Sequence, residues 1–263
     1  MTKLDDWYDH PQYFDMVFRD ETPAEVAFFK EAFKRYCDAP VQRLVEPGCG
    51  SGRLVAALAA EGYQCCGLDL SEPMLRYLRS RLRRRGLSAQ VIQGDMIDMP
   101  VGDQVFDAAF CTFNTFRHLS NDGDAVKHLR RVADHVRVGG LYLLGFHIIP
   151  MDADPECTER WQASAGGTKV HVTLKVIDFD RKQRRETLRV SIKATRRSGA
   201  VHRVRSEFPL RLYTASQAKR LLAKVADVWT IREIFDFDYD IDSPRKFDDD
   251  LTDALFVLQR TGD

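Results

Sequence analysis

Three glycines at alternate positions, Gly48, Gly50 and Gly52, stand between an acid, Glu46, and a base, Arg53. Glycine accepts positive φ, and its missing side chain lets a ligand approach the backbone. The apolar run before the glycines suits a short buried strand, and Leu54–Ala60 suits a helix. A strand, a glycine turn and a helix start, in that order, make a nucleotide-binding loop. Unsatisfied N–H groups and a partial positive charge collect at such a helix end. A pyrophosphate would call for G-x-G-x-x-G and would be repelled by Glu46. The spacing G-x-G-x-G with an acid beside it suits a ligand that carries positive charge there, such as an amino group or a sulfonium.

Further residues of the right type recur after each apolar run. Asp69 closes Gln64–Asp69, 23 residues beyond Glu46. In open α/β sheets ligands bind beyond the carboxyl ends of the strands, where an acid can accept both hydroxyls of a ribose. Asp95 and Met96 follow the run ending at Gln93. His118 lies in Phe106–Leu119, FDAAFCTFNTFRHL, and His147 ends Leu141–His147; these two are the candidate bases. Near the start, Trp7, Tyr8, Tyr13, Phe14 and Phe18 crowd one short segment.

Taken together, these stretches resemble the class I S-adenosylmethionine-dependent methyltransferases, whose first motif is E/D-x-G-x-G-x-G. Here that motif reads Glu46-Pro-Gly-Cys-Gly-Ser-Gly52. The resemblance covers roughly residues 7–147 and the closing strands, and it implies S-adenosylmethionine as cofactor. Glu46, Gly48, Gly50 and Gly52 would hold its methionine end, and Asp69 its ribose. Asp95 would accept from the adenine amino group beside Met96. Leu70 and Met74 would line the same pocket, and Cys111–Asn114 would pass the methionine part and face the acceptor. In the small-molecule branch a tyrosine from an N-terminal segment folds over the site, a part Tyr13 would play, with Arg53 as a second ligand of the carboxylate. Base-methylating relatives carry D/N-P-P-Y/F after the fourth strand. Here Cys111-Thr-Phe-Asn114 departs from it, so the expected acceptor is a small molecule, methylated on N, O or C. An RNA-directed enzyme and a non-catalytic cofactor-binding protein remain the alternatives.

The elements that must position these groups are legible in outline. Thr22-Pro-Ala-Glu25 reads as a capping box opening a helix to about Tyr36. Strands at 41–46, 64–69, 89–93, 105–111 and 141–147 alternate with helices at 54–60, 71–84 and 122–136, the last ended by Gly139-Gly140. After Pro150 the rhythm changes. Residues 151–167 read as a loop, and 169–180, 184–197 and 201–213 as three alternating β-stretches. A helix at 215–225 and strands at 228–237 and 254–260 close the chain. The expectation is an α/β, Rossmann-like, doubly wound, mostly parallel seven-stranded sheet with an antiparallel β insertion. It forms a single domain over 1–263, with an N-terminal lid and helix at 1–38 and the inserted appendage at 151–213.

With 263 residues, 44% of them hydrophobic, the chain can bury one substantial core. The 39 basic and 39 acidic residues cancel, so bulk charge names no partner. The basic appendage reads as a solvated strand face, and nucleic acid is not expected as a partner. Six scattered cysteines without a C-x-x-C pair point to reduced thiols and no metal site. No apolar leader or membrane-length run appears, which gives a cytoplasmic, membrane-free expectation. A homodimer stays open.

Overall fold

The computed structural model of the chain describes residues 6–154 and 156–262. Residues 1–5 of the expected lid, Pro155 of the appendage and Asp263 lie outside them. A seven-stranded sheet forms the centre, in the order β10-β11-β5-β4-β1-β2-β3. Its strands are β1 (Arg43–Pro47), β2 (Gln64–Asp69), β3 (Gln90–Gln93), β4 (Phe106–Cys111), β5 (Val136–His147), β10 (Trp229–Phe235) and β11 (Asp253–Arg260). Neighbours are parallel except β11, which runs antiparallel to both β5 and β10. Helices α2 (Thr22–Tyr36), α3 (Arg53–Ala60) and α4 (Glu72–Arg85) cover one face through Phe28, Phe29, Phe33, Leu54, Leu58, Leu75 and Leu78. Helices α5 (Asp122–His135) and α6 (Ala215–Ala223) cover the other through Leu129, Val132, Ala218 and Leu221. Both faces are dry, which is why the parallel strands read as unbroken apolar runs rather than alternating ones.

Local signals explain most boundaries. The Ser71 hydroxyl accepts from Met74 N–H to start α4, and Gly86 stops it in the left-handed region. Met74, Leu75, Leu78 and Leu82 recur at helical spacing on the buried face of α4. Asn121 caps α5 by accepting from Asp124 N–H.

Three expectations are corrected. The Thr22–Glu25 capping box does not form: α2 has no side-chain cap, and Glu25 is fully buried. Gly139 and Gly140 do not end a helix: α5 stops at His135, and both glycines lie inside β5. The presumed loop 151–167 contains a strand, β6 (Thr158–Ala165), so the insertion has four strands. With β7 (Thr168–Asp180), β8 (Arg185–Arg196) and β9 (Val201–Arg211) it forms an antiparallel meander between β5 and α6.

The N-terminal aromatics pack on this insertion. Trp7, Tyr13 and Phe18, the last two on α1 (Pro11–Phe18), share a cluster with Val170, Val172, Val190, Ile192 and Val204. Trp7 N–H donates to Ser206 Oγ at 2.6 Å. No described helix is long and apolar enough to cross a membrane.

Candidate functional site

A cavity of about 1130 Å³ lies beyond the carboxyl ends of β1, β2, β4 and β5, with the insertion and the N-terminal segment as its far wall. Gly48, Gly50, Glu46, Arg53, Asp69, Leu70, Met74, Asp95, Met96, His118 and His147 all line it. The fold therefore brings most of the residues singled out by the sequence to one cavity. Gly52, Cys111 and Tyr13 are not among the lining residues.

The glycine loop divides its labour. At Gly50, φ is +51°, and an added Cβ would meet nothing within 4 Å. The backbone there faces open space. At Gly52, φ is +65°, and a Cβ would stand 2.3 Å from Leu78 Cδ1. Gly52 thus lets α3 approach α4 and, unlike Gly48 and Gly50, is not among the residues that line the cavity.

Glu46 is 8% exposed, and its Oε2 has no hydrogen-bond partner. Burial pushes its carboxyl well above the ordinary range, while Arg53 opposes the shift. A buried acceptor atom without a donor is costly unless something supplies one. Arg53 is already engaged: its Nη1 meets Glu25 Oε1 at 2.5 Å and donates to Thr22 Oγ1 at 3.1 Å. Glu25 Oε2 accepts from Thr112 Oγ1 at 3.2 Å. Sequence reasoning assigned Glu25 to a cap. The missed signal was its place three and four residues before Phe28 and Phe29, on the buried stripe of α2.

Asp69 ties the loop to the next helix. Gly50 N–H donates to Oδ2 and Ser71 N–H to Oδ1, each at 2.8 Å. Each carboxylate oxygen keeps a further lone pair for a ligand. Leu70 beside it is 64% exposed, an apolar side chain left on the cavity wall. Asp95 Oδ1 accepts from Ile97 N–H at 2.8 Å, so this acid both shapes its turn and faces the cavity. Of the stretch Cys111–Asn114, the Cys111 side chain is buried in the sheet core and does not line the cavity, whereas Thr112, Phe113 and Asn114 do, followed by Thr115. Phe113 holds φ at +65° and stacks on Phe237, ring centroids 5.6 Å apart. Tyr13 is also corrected: it is buried on the insertion, its hydroxyl 3.3 Å from His202 Nδ1. Tyr8 lines the cavity, its hydroxyl 3.1 Å from His118 Nε2.

The two histidines differ in constraint. His118 opens onto the cavity between Tyr8 and Phe208. Loss of water around the ring, then the Arg117 charge, pushes its pKa down to about 4. His147 falls to about 3 for the same reasons in the same order. Asn114 Oδ1 accepts from His147 N–H at 3.1 Å and from Arg117 Nη1 at 3.3 Å. That fixes the amide orientation, so Asn114 Nδ2 donates to His147 Nδ1 at 3.0 Å. The ring proton of neutral His147 then sits on Nε2, which faces Asp253 Oδ1 at 3.3 Å. Arg117 is itself 1% exposed; it pairs with Glu186 of β8 and donates from Nε to Arg211 O at 2.8 Å. No motif announced Arg117 or Asp253.

The comparisons with known proteins fit this geometry. Residues 44–140 match the family model of a methyltransferase domain. The dTDP-3-amino-3,6-dideoxy-α-D-glucopyranose N,N-dimethyltransferase of Streptomyces fradiae is 32% identical over 127 residues, 48% of each chain. The chain spans about half the length of the curated relatives it matches. A solved S-adenosylmethionine-dependent methyltransferase from Clostridium acetobutylicum superposes with a TM-score of 0.77 at 17% identity, covering 95% of this chain and 96% of that one. The sugar N-methyltransferase KedS8 from Streptoalloteichus sp. superposes at 0.73 and 20% identity, covering 100% and 96%. The fold is thus that of the Rossmann-like S-adenosylmethionine-dependent methyltransferases, as the glycine motif implied. The segment that carries the motif is a methyltransferase domain.

Proposed function

We propose that the chain is an S-adenosylmethionine-dependent methyltransferase acting on a small-molecule acceptor, with nitrogen as the favoured atom. The observation that carries this reading is the buried, unpartnered Glu46 Oε2 beside the open turn at Gly50. It lacks a donor of the kind an α-ammonium group supplies. Asp69 offers spare lone pairs to a diol, and Leu70 and Met96 offer apolar surface to a flat ring. The relatives named for amino-sugar N-methylation support nitrogen.

When bound, S-adenosylmethionine supplies an electrophilic methyl group on a sulfonium sulfur. The chain must hold the acceptor in line and keep water away. Phe18, Phe113 and Phe237 form the dry wall for that purpose. His118 and Tyr8 orient the acceptor's lone pair. An imidazole that gives up its proton near pH 4 cannot deprotonate an alkylammonium of pKa about 10, a gap of roughly 8 kcal/mol. His118 and His147 are therefore assigned to positioning, and neither to proton removal.

The test is calorimetry with S-adenosylhomocysteine, S-adenosylmethionine and NAD. The first two are expected to bind near the micromolar range, about −8 kcal/mol, and NAD not at all. Binding of NAD in preference to both would reject the reading.

A further inference from the structure

The half of the cavity away from the glycine loop has a distinctive charge inventory. Its insertion wall is apolar: Trp161, Leu174, Val176, Leu188, Val190 and Phe208 face inward. Among the described residues, Arg53 and Arg117 are the Arg and Lys side chains lining the cavity. Arg53 is paired with Glu25, and Arg117 is paired with Glu186 and almost fully buried. Neither is available to clamp a phosphate, which calls for exposed Arg or Lys donors or a run of backbone N–H groups. The acids are differently disposed. Glu159 of β6 and Asp253 of β11 line the same mouth from opposite elements. Burial first, and then the charges of Asp253 and Glu186, disfavour the charged form of Glu159, and burial does the same to Asp253. His147 Nε2–H stands 3.3 Å from Asp253 Oδ1, and Thr252 Oγ1 donates to Asp253 Oδ2 at 3.4 Å.

Two carboxylates that repel each other beside an apolar wall are relieved by a cation seated between them. We propose that this half of the cavity is the acceptor subsite, and that it takes a non-phosphorylated hydrophobic amine. The ammonium faces Asp253 and Glu159 while its apolar body lies on the insertion sheet, and it is the neutral amine, formed when the ammonium gives its proton to bulk water, that offers a lone pair to the methyl group. The subsite would exclude nucleoside-diphosphate sugars, for which it supplies negative potential and no cationic clamp. The assignment rests on the methyltransferase reading for its purpose, but its binding test does not need turnover.

Trp7 and Trp161 line the cavity, so ligand binding can be followed by their fluorescence in the full-length protein. The probes are tryptamine, its uncharged analogue tryptophol, and a dTDP-linked amino sugar, each with and without S-adenosylhomocysteine; tryptamine, which itself fluoresces, is followed by competition or calorimetry. Tryptamine is expected to bind at least ten-fold more tightly than tryptophol and than the dTDP sugar. Asp253→Asn and Glu159→Gln should each abolish most of the preference for tryptamine over tryptophol. S-adenosylhomocysteine affinity should be unchanged in Asp253→Asn. Tighter binding of the dTDP sugar, or equal binding of tryptamine and tryptophol to the unmodified protein, would overturn the proposal. Failure of S-adenosylhomocysteine to bind would reject the methyltransferase reading instead, leaving the amine comparison to stand on its own.

Discussion

The carboxylate of Glu25 and the guanidinium of Arg53 meet at 2.5 Å behind the glycine loop, the first fully buried and the second 12% exposed. One comes from α2 and the other opens α3, so the pair pins α2 to the end of the glycine loop. Removing one partner of a buried pair leaves the other charge uncompensated, at a cost of about 3–5 kcal/mol. Glu25→Ala is expected to lower the urea midpoint by that equivalent. Arg53→Met with Glu25→Leu should recover much of the loss. A Glu25→Ala variant as stable as the parent would show that the pair does not anchor α2.

The two glycine roles separate by substitution. Gly52→Ala meets both positive φ and the fully buried Leu78, so a loss of about 2–4 kcal/mol is expected. Gly50→Ala meets only the conformational cost, about 1–2 kcal/mol, because its Cβ enters open space. Its larger effect should fall on S-adenosylhomocysteine affinity. Thermal melts and calorimetry on both variants measure the two effects independently, and a reversed pattern would exchange the roles.

His128 gives the fold an acid limb. Its Nδ1 donates to Met96 O at 2.8 Å, and its Nε2 accepts from Tyr142 Oη at 2.7 Å. The ring is fully buried, and loss of water pushes its pKa down to about 4, against about 6.5 unfolded. The unfolded chain therefore binds more protons between those values. This contribution to stability is present above pH 6.5 and is lost as pH falls toward 4. Between pH 7 and pH 5 the loss is about 2 kcal/mol from this ring. Unfolding curves of His128→Gln should be flatter over that window by this amount, and an unchanged slope would refute the assignment.

The Asn114–His147 hydrogen bond predicts a fixed tautomer. Nitrogen NMR of the imidazole should show Nε2 protonated and Nδ1 unprotonated at pH 7. Asn114→Ala should bring a mixture of tautomers and weaken the hold on Asp253. A protonated Nδ1 in the parent would reverse the direction of the whole chain of hydrogen bonds.

Strands β1, β2, β4 and β5 are readable because both faces of a parallel sheet are dry, so each appears as an apolar run, closed in β1 and β2 by an acid. Strand β6 is not: TERWQASA is mostly exposed, at the edge of the insertion, and its apolar alternation, Trp161, Ala163 and Ala165, is short and rests mainly on alanines. Gly139-Gly140 resembled a helix stop because glycine often serves as one. Here a Cβ on Gly140 would press within 2.4 Å of Asp107 O, and the pair marks close strand contact instead. The acids of the cofactor half were legible because each follows its strand directly. The acceptor half was not, since Asn114, Arg117, Glu159 and Asp253 meet only through the tertiary fold.

The insertion runs without interruption from Thr158 to Arg211, and it builds most of the wall opposite the cofactor loop. If the cavity takes an acceptor as proposed, its preference is written in one contiguous cassette that evolution or a protein engineer could replace while leaving the Gly48–Asp69 loop and strand in place. The replacement would have to carry a second piece with it. Trp7, Tyr13 and Phe18 bury themselves against Val170, Val190 and Val204, and Trp7 N–H and Asp6 both bond Ser206. A graft of residues 158–211 alone should leave a ragged seam, whereas one that also exchanges 6–18 keeps both sides of that seam matched.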